Sequence, residues 1–169
     1  MSDVNVSVTD SSVNVMVGEL RYYGSFYSTV DQTSAGANQV NKMTWNNTDL
    51  SYGVSIVSSS RITIANAGIY NLQFSAQLDK TDSGDDVVDI WFCKNGNNIA
   101  NSNTQTTLVG NNGKHVAAWN FFVNAAAGDY YEICWTSADT GVFLNYVTAQ
   151  STPTRPAIPS VILTVNKIG

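Results

Sequence analysis

The side chains of this chain that could do chemistry are few: one histidine, two cysteines and one dense run of carboxylates. His115 follows the turn-forming stretch Gly110-Asn111-Asn112-Gly113-Lys114. Nucleophilic hydrolysis needs a nucleophile, a base and an orienting carboxylate that meet in space, and no Gly-x-Ser-x-Gly elbow is present to supply the first of these. Cys93 and Cys134 belong to no Cys-x-x-Cys pair and to no zinc-ligand spacing. Each follows a bulky apolar residue, Phe92 or Ile133, inside a strand-like run, which reads as a buried or half-buried structural thiol. A phosphate-cradling loop and a Gly-rich dinucleotide fingerprint are both missing. The expectation is a protein that is not an enzyme, has no catalytic residue and needs no cofactor.

The carboxylates concentrate in Asp79-Lys80-Thr81-Asp82-Ser83-Gly84-Asp85-Asp86-Val87-Val88-Asp89, five acidic side chains in eleven residues. Calcium takes about six to eight oxygen ligands, and Asp82, Asp85 and Asp86 are the residues that could supply several of them. An EF-hand is excluded, because the twelfth position counted from Asp79 is Ile90 rather than a bidentate Glu. The competing reading is a solvated connection between strands whose charges keep sheet edges apart. No tight metal site is expected, and weak calcium binding stays open.

Strands must position these groups. Charged residues make up 12% of the 169 residues, about half the usual share, while 19 Asn, 18 Ser and 16 Thr supply short polar side chains that favour turns and exposed strand faces over helix interiors. Four Trp, eight Tyr and six Phe provide a core that a disordered chain would lack. Almost every apolar segment alternates with period two and ends at Gly, Asn, Asp or Ser. Tyr70, Leu72, Phe74, Ala76 and Leu78 share one face of such a run, and Asn71, Gln73, Ser75 and Gln77 share the other. Val88, Ile90 and Phe92 lead into Asn95-Gly96, a hairpin signal. Further strands are expected over Val116 to Val123, around Tyr131, Ile133 and Trp135, over Val142 to Val147 and over Ile158 to Ile168, with Ser151 to Pro159 and its three prolines as a loop. No capped helical window occurs. This predicts an all-β, two-sheet jelly-roll sandwich.

Net charge of -5 and the absence of a basic patch argue against nucleic acid as a partner. No apolar run approaches the ~18 residues that span a bilayer, and the first residues carry no cationic, apolar leader, so a membrane partner is not expected and folding in a cytosol with reduced thiols is.

Residues 1–19 differ from the jelly-roll domain expected over 20–169. Val4, Val6 and Val8, then Val13, Val15 and Val17, alternate with polar residues, yet no aromatic appears before Tyr22. The stretch reads as an extended arm with a reach of roughly 60 Å, or as an edge hairpin of the same sandwich. The strand that follows has two apolar faces, with Tyr22 and Phe26 on one and Tyr23 and Tyr27 on the other. The last strand places Val161, Leu163 and Val165 on one face and Ile162 on the other. One face of each must be the core, so Tyr23, Tyr27 and Ile162 mark a second surface that a loop, a ligand groove or a subunit interface would cover, unless they are scattered surface residues.

Three stretches resemble a known pattern. Ile62 to Phe74, with Ala67-Gly68-Ile69-Tyr70 at its turn, is similar to the Gly-hydrophobic-Tyr signature of the complement globular head and tumour necrosis factor family. Lys94-Asn95-Gly96 and Ala127-Gly128-Asp129-Tyr130-Tyr131-Glu132-Ile133 resemble two further motifs of that family, in the same order, and Ser160 to Val165 matches its final strand. Ala67 stands where a Pro is common, and the family's collagen-like or membrane stem is missing. The resemblance implies a homotrimer with Tyr23, Tyr27 and Ile162 in a three-fold interface. It is closest in kind to trimeric head proteins of bacteriophage particles. The function expected is a non-enzymatic virion structural protein, a capsid decoration or cement protein held to the major capsid protein or another virion protein through the arm valines and assembled in the host cytoplasm. The alternative is a receptor- or glycan-binding head of a tail fibre or adhesin.

Overall fold

The computed structural model describes residues 21–169. The proposed arm, including Val4, Val6, Val8, Val13, Val15 and Val17, lies outside the described residues. Within them the chain forms strands β1 (Tyr23–Ser28), β2 (Gln32–Thr33), β3 (Asn41–Lys42), β4 (Asn47–Tyr52), β5 (Val54–Val57), β6 (Arg61–Ile64), β7 (Gly68–Lys80), β8 (Asp86–Lys94), β9 (Asn97–Asn98), β10 (Thr104–Leu108), β11 (His115–Ala125), β12 (Tyr130–Ser137), β13 (Val142–Leu144), β14 (Gln150–Ser151), β15 (Thr154–Arg155) and β16 (Val161–Lys167). None of the described residues is helical.

Two antiparallel sheets stack face to face. The first runs β2-β13-β7-β16-β1-β4, with β11 also paired to β7; the second runs β10-β8-β12-β6-β5, with β3 on β12 and β9 on β8. The chain changes sheet between β2 and β3, β3 and β4, β4 and β5, β6 and β7, β7 and β8, β10 and β11, β11 and β12, and β12 and β13, so most sequence neighbours lie in opposite layers, as in a jelly roll. The two sheets bury the period-two faces read from the sequence: Tyr70, Leu72, Phe74, Ala76 and Leu78 from β7 meet Val88, Ile90 and Phe92 from β8 and Tyr131, Ile133 and Trp135 from β12. Aromatic contacts tie the layers together, with Phe74 edge-on to Phe92 at 6.0 Å and Phe92 stacked on Phe121 at 4.8 Å.

The Gly-x-Tyr turn has a steric reason. Gly68 sits at φ +151°, and a Cβ there would meet the carbonyl oxygen of Gly169 at 2.5 Å, so only Gly lets β7 start against the end of the chain. Tyr70 is fully buried and donates its hydroxyl to the carbonyl of Asn66 at 2.8 Å, closing the turn that precedes it.

Two expectations need correction. The segment Ser151 to Pro159 is not plain loop, because β14 and β15 form a two-residue hairpin in and beside it, and Val147 bridges Ile158. The strand expected over Val142 to Val147 ends at Leu144; Asn145 still donates its backbone N–H to Gln77 at 2.8 Å, and its side-chain amide donates to Asp79. Local alternation cannot report such departures, which depend on what lies on the neighbouring strand.

Candidate functional site

The turn motifs that lie far apart in sequence meet as one knot. Asn95 and Gly96, at φ +51° and +83°, form the tight β8–β9 turn. Asn95 then donates its side-chain amide to Asp129 Oδ1 at 2.8 Å and accepts from the backbone N–H of Tyr130 at 2.9 Å. Lys94 Nζ lies 2.7 Å from Asp129 Oδ2, which also accepts from the Ala126 N–H at 2.7 Å. With Lys94, Asn95 and Ala126 all favouring its charged form, the Asp129 carboxyl is held at about 2. This constellation is structural: every polar atom in it is spent on another.

Cys93 and Cys134 come together, which their spacing did not reveal. They face outward from the second sheet on neighbouring strands as a diagonal pair, Cys93 lying opposite Glu132 and Cys134 two residues further on, with sulfurs 2.9 Å from each other. Both are free thiols and both are buried. Burial, and after it the hydrogen bond with Cys93, push the Cys134 thiol far up, so it is not a nucleophile at neutral pH. Beside it, the fully buried Glu132 is satisfied by Lys42 at 2.7 Å and Ser60 at 2.8 Å. That carboxylate is the centre of an ion pair, and the Lys42 pKa rises chiefly through its hydrogen bond to Glu132.

The acidic run divides. Asp82 and Asp86 approach each other and are joined by Asp139, all three offering oxygens within 4.8 Å of one another. Asp85 turns away and caps the Gly110 N–H at 2.9 Å. The cation among these acids is Lys80: its ammonium is withdrawn from solvent and lies 2.7 Å from Asp86, 3.7 Å from Asp82 and 2.5 Å from the Gly84 carbonyl. Burial alone would lower the Lys80 pKa, but the Asp86 hydrogen bond and the charges of Asp86, Asp82 and Asp85 outweigh it, and the net direction is up. The ammonium thus neutralises Asp82 and Asp86, while Asp139 is not within ion-pair distance of it.

His115 is exposed at the start of β11 and borders a hollow of about 340 Å³ with Asp79, Lys114, Asn145, Val147 and Ile158. Asp79 is the only carboxylate lining it and is bound by both Lys114 and Asn145. Among the described residues no hydrogen bond joins His115 to a carboxylate or hydroxyl, and no triad geometry forms around it.

The outward face of the first sheet is the most distinctive surface. Tyr27 lies opposite Ile162 in the β1–β16 ladder, and Ile162 lies opposite Ser75 of β7, which lies opposite Ala118 of β11. Tyr23 pairs with Asn166 and, on its other side, with Tyr52 of β4, whose ring is 6.4 Å away. Tyr23, Leu50, Tyr52, Ile69, Val116, Phe122 and Ile162 are exposed there, each by 38–58%. Where β1, β16, β7 and β11 run side by side, the outward residues are these and Ser, Thr, Asn, Gln or Ala; none is charged. Ordinary solvent-facing sheets carry Lys and Glu, whereas interface cores lose charge and gain aromatics. Tyr23, Tyr27 and Ile162 thus share one face, and Val116 and Phe122, absent from the sequence reading, extend it.

A second surface feature lies on the opposite side of the sandwich. Asp89, Trp91, Asn98, Asn101, Asn103 and Thr136 border a hollow of about 360 Å³ on the outer face of the second sheet. Sequence reasoning missed it because its residues come from three strands, β8, β9 and β12, and the loop between β9 and β10.

No protein-family model and no curated sequence matches the chain. Among solved structures it is similar to murine APRIL at pH 8.0, with 13% identity and a TM-score of 0.53. Murine APRIL at pH 8.5 gives 11% and 0.54, and at pH 5.0 it gives 9% and 0.52. Each comparison covers 88% of this chain and 100% of the other. At such identity the likeness shows the fold alone, a jelly roll like that of tumour necrosis factor.

Proposed function

We propose that the chain is a non-enzymatic structural protein that works as a homotrimer, decorating a virion capsid and held there by residues 1–19. The observation that carries the trimer is the uncharged, aromatic-bearing outward face of the first sheet, centred on Tyr27 and Ile162. An uncharged face this broad, with no helix laid over it among the described residues, is a surface that association with other copies would cover.

The arrangement of the chain ends supports attachment. Tyr22 accepts the Lys167 N–H at 2.8 Å, so the start and the end of the described chain lie together at one end of the sandwich. Three-fold symmetry puts the three equivalent ends on one side of the trimer, from which three arms could engage one shell with avidity. Among the described residues the groups that could do chemistry are engaged in structure: Glu132 and Asp79 are ion-paired, burial pushes the Cys134 thiol up, and His115 bonds to no carboxylate or hydroxyl.

The test is to delete residues 2–19 and measure oligomer mass and binding to undecorated particles. An intact trimer that no longer binds supports the arm as anchor; a trimer that binds as before refutes it. The copy number on purified particles then separates decoration, with many copies over the shell, from a fibre tip with a handful.

A further inference from the structure

The hollow on the outer face of the second sheet joins three features that rarely coincide without a ligand. Trp91 is only partly covered, and its indole N–H donates to Asn98 Oδ1 at 2.8 Å, which fixes the ring plane. Asn98 Oδ1 also accepts from Cys93 at 3.2 Å, so the residue that pins the indole is itself pinned from below. Asp89 Oδ1 takes the side-chain amides of Asn103 at 3.0 Å and Gln105 at 3.3 Å, which leaves its second oxygen without a donor among the described residues. Thr136, directly opposite Asp89 in the β8–β12 ladder, has a buried hydroxyl with no hydrogen-bond partner. Its oxygen shows less than 1 Å² to solvent, so Thr136 belongs to the floor beneath the hollow and reports on what sits above it.

We propose that this hollow is a binding site for a neutral sugar ring. A pyranose has an apolar C–H face, which suits a held aromatic plane, and a rim of hydroxyls that both donate and accept, which suits amides and a half-spent carboxylate. The Asn98 and Asn101 side chains line the hollow together with the indole, and the Asp89 oxygen that takes no side-chain amide is free to accept a sugar hydroxyl. No Lys or Arg lines the hollow and its one charge is negative, so sialylated or sulfated sugars are excluded by the same chemistry.

The inference does not depend on the capsid role. The site faces away from the uncharged face of the first sheet, so a trimer closed through that face would keep three such hollows open and multiply a weak single-site affinity.

The experiment uses the full chain labelled with ¹⁵N, in which each of the four tryptophans gives one indole N–H signal. Methyl glycosides of glucose, galactose, mannose and N-acetylglucosamine are titrated to about 50 mM, with N-acetylneuraminic acid as the anionic control. The expected result is a saturable shift of the Trp91 indole and of the Thr136 amide with at least one neutral glycoside, and none with the acid. Trp91→Ala should abolish the Thr136 response, and Asp89→Asn should weaken binding about tenfold. Trp91→Leu, which keeps bulk without a flat aromatic face, provides the same comparison if Trp91→Ala does not fold. No saturable shift with any of the four, an equal shift with the acid, or an unchanged Thr136 response in the variants overturns the proposal. Oligomer mass, measured on the same samples, reports on the trimer separately.

Discussion

Asp129 and Lys94 form a 2.7 Å ion pair that joins the turn before β12 to the end of β8. Lys94, Asn95 and the Ala126 N–H together hold the Asp129 carboxyl at about 2, below its ordinary 3.8. A carboxyl whose folded pKa is depressed contributes stability that is complete above the unfolded value and lost as pH falls through the folded one. The Asp129 contribution should therefore disappear between about pH 4 and pH 2. Asp129→Asn should lower the Tm at pH 7 and make the fall in Tm across that window shallower than in the parent protein. Parallel acid melts of the two proteins check this, and identical slopes would exclude Asp129 as a source of the acid sensitivity.

Lys80 is a fully buried cation inside a group of acids, and its removal should expose their mutual repulsion. Lys80→Ala leaves Asp82, Asp86 and Asp139 with oxygens within 4.8 Å and no counter-charge. Breaking a buried pair from one side is strongly destabilising, and the Tm should drop by roughly 5 °C or more. Calcium should then restore part of the loss, because Asp82, Asp86 and Asp139 still offer oxygens within 4.8 Å of one another and the Gly84 carbonyl has lost its donor. The parent protein should show no calcium-dependent rise. Thermal melts of both proteins with millimolar calcium or with chelator decide it; equal behaviour would mean the acids do not converge around Lys80.

The adjoining thiols predict slow chemistry. With Cys134 buried and its pKa pushed up, neither sulfur should react quickly with a charged thiol reagent at pH 8 in the native protein. Both should react at once in denaturant. The measurement is a thiol count against time under the two conditions. Fast native reaction of two thiols would show that the outer face of the second sheet opens readily near Cys93.

Much of this architecture was readable in advance, and the parts that were not share a cause. Alternation in Tyr70 to Leu78 and Val88 to Phe92 reports which side of each strand is buried, because that depends only on the two-residue period. Pairing between strands depends on register over long separations, and no local pattern carries it. So the contact of Cys93 with Cys134, and the meeting of Trp91, Asn101 and Thr136 around one hollow, had no signal in the chain. Lys80 was hidden for a different reason: within a run of carboxylates it reads as one more solvated charge, whereas β7 carries it inward beyond Leu78. The short strands β2 and β3 escaped because two residues are too few to show a period. Tyr23, Tyr27 and Ile162 were recoverable, since a strand with two apolar faces is visible from its own sequence.

Tyr27 and Ile162 supply the sharpest test of assembly. They stand opposite each other near the middle of the uncharged face, so a carboxylate at either position would be buried unpaired if three copies close over it. Tyr27→Asp and Ile162→Asp should each convert a particle of three times 18.2 kDa into one of 18.2 kDa at micromolar concentration, read by light scattering. The single chain should stay folded, because both side chains point away from the core and the inward residues Phe26 and Leu163 are untouched. Val109→Asp is the control: it places the same charge on an exposed position outside this face, between β10 and β11, and should leave the mass unchanged. If all three variants keep the mass of the parent, whatever that mass is, the face is not the interface. If Val109→Asp alone dissociates the particle, the contact runs through the β10–β11 side of the sandwich instead.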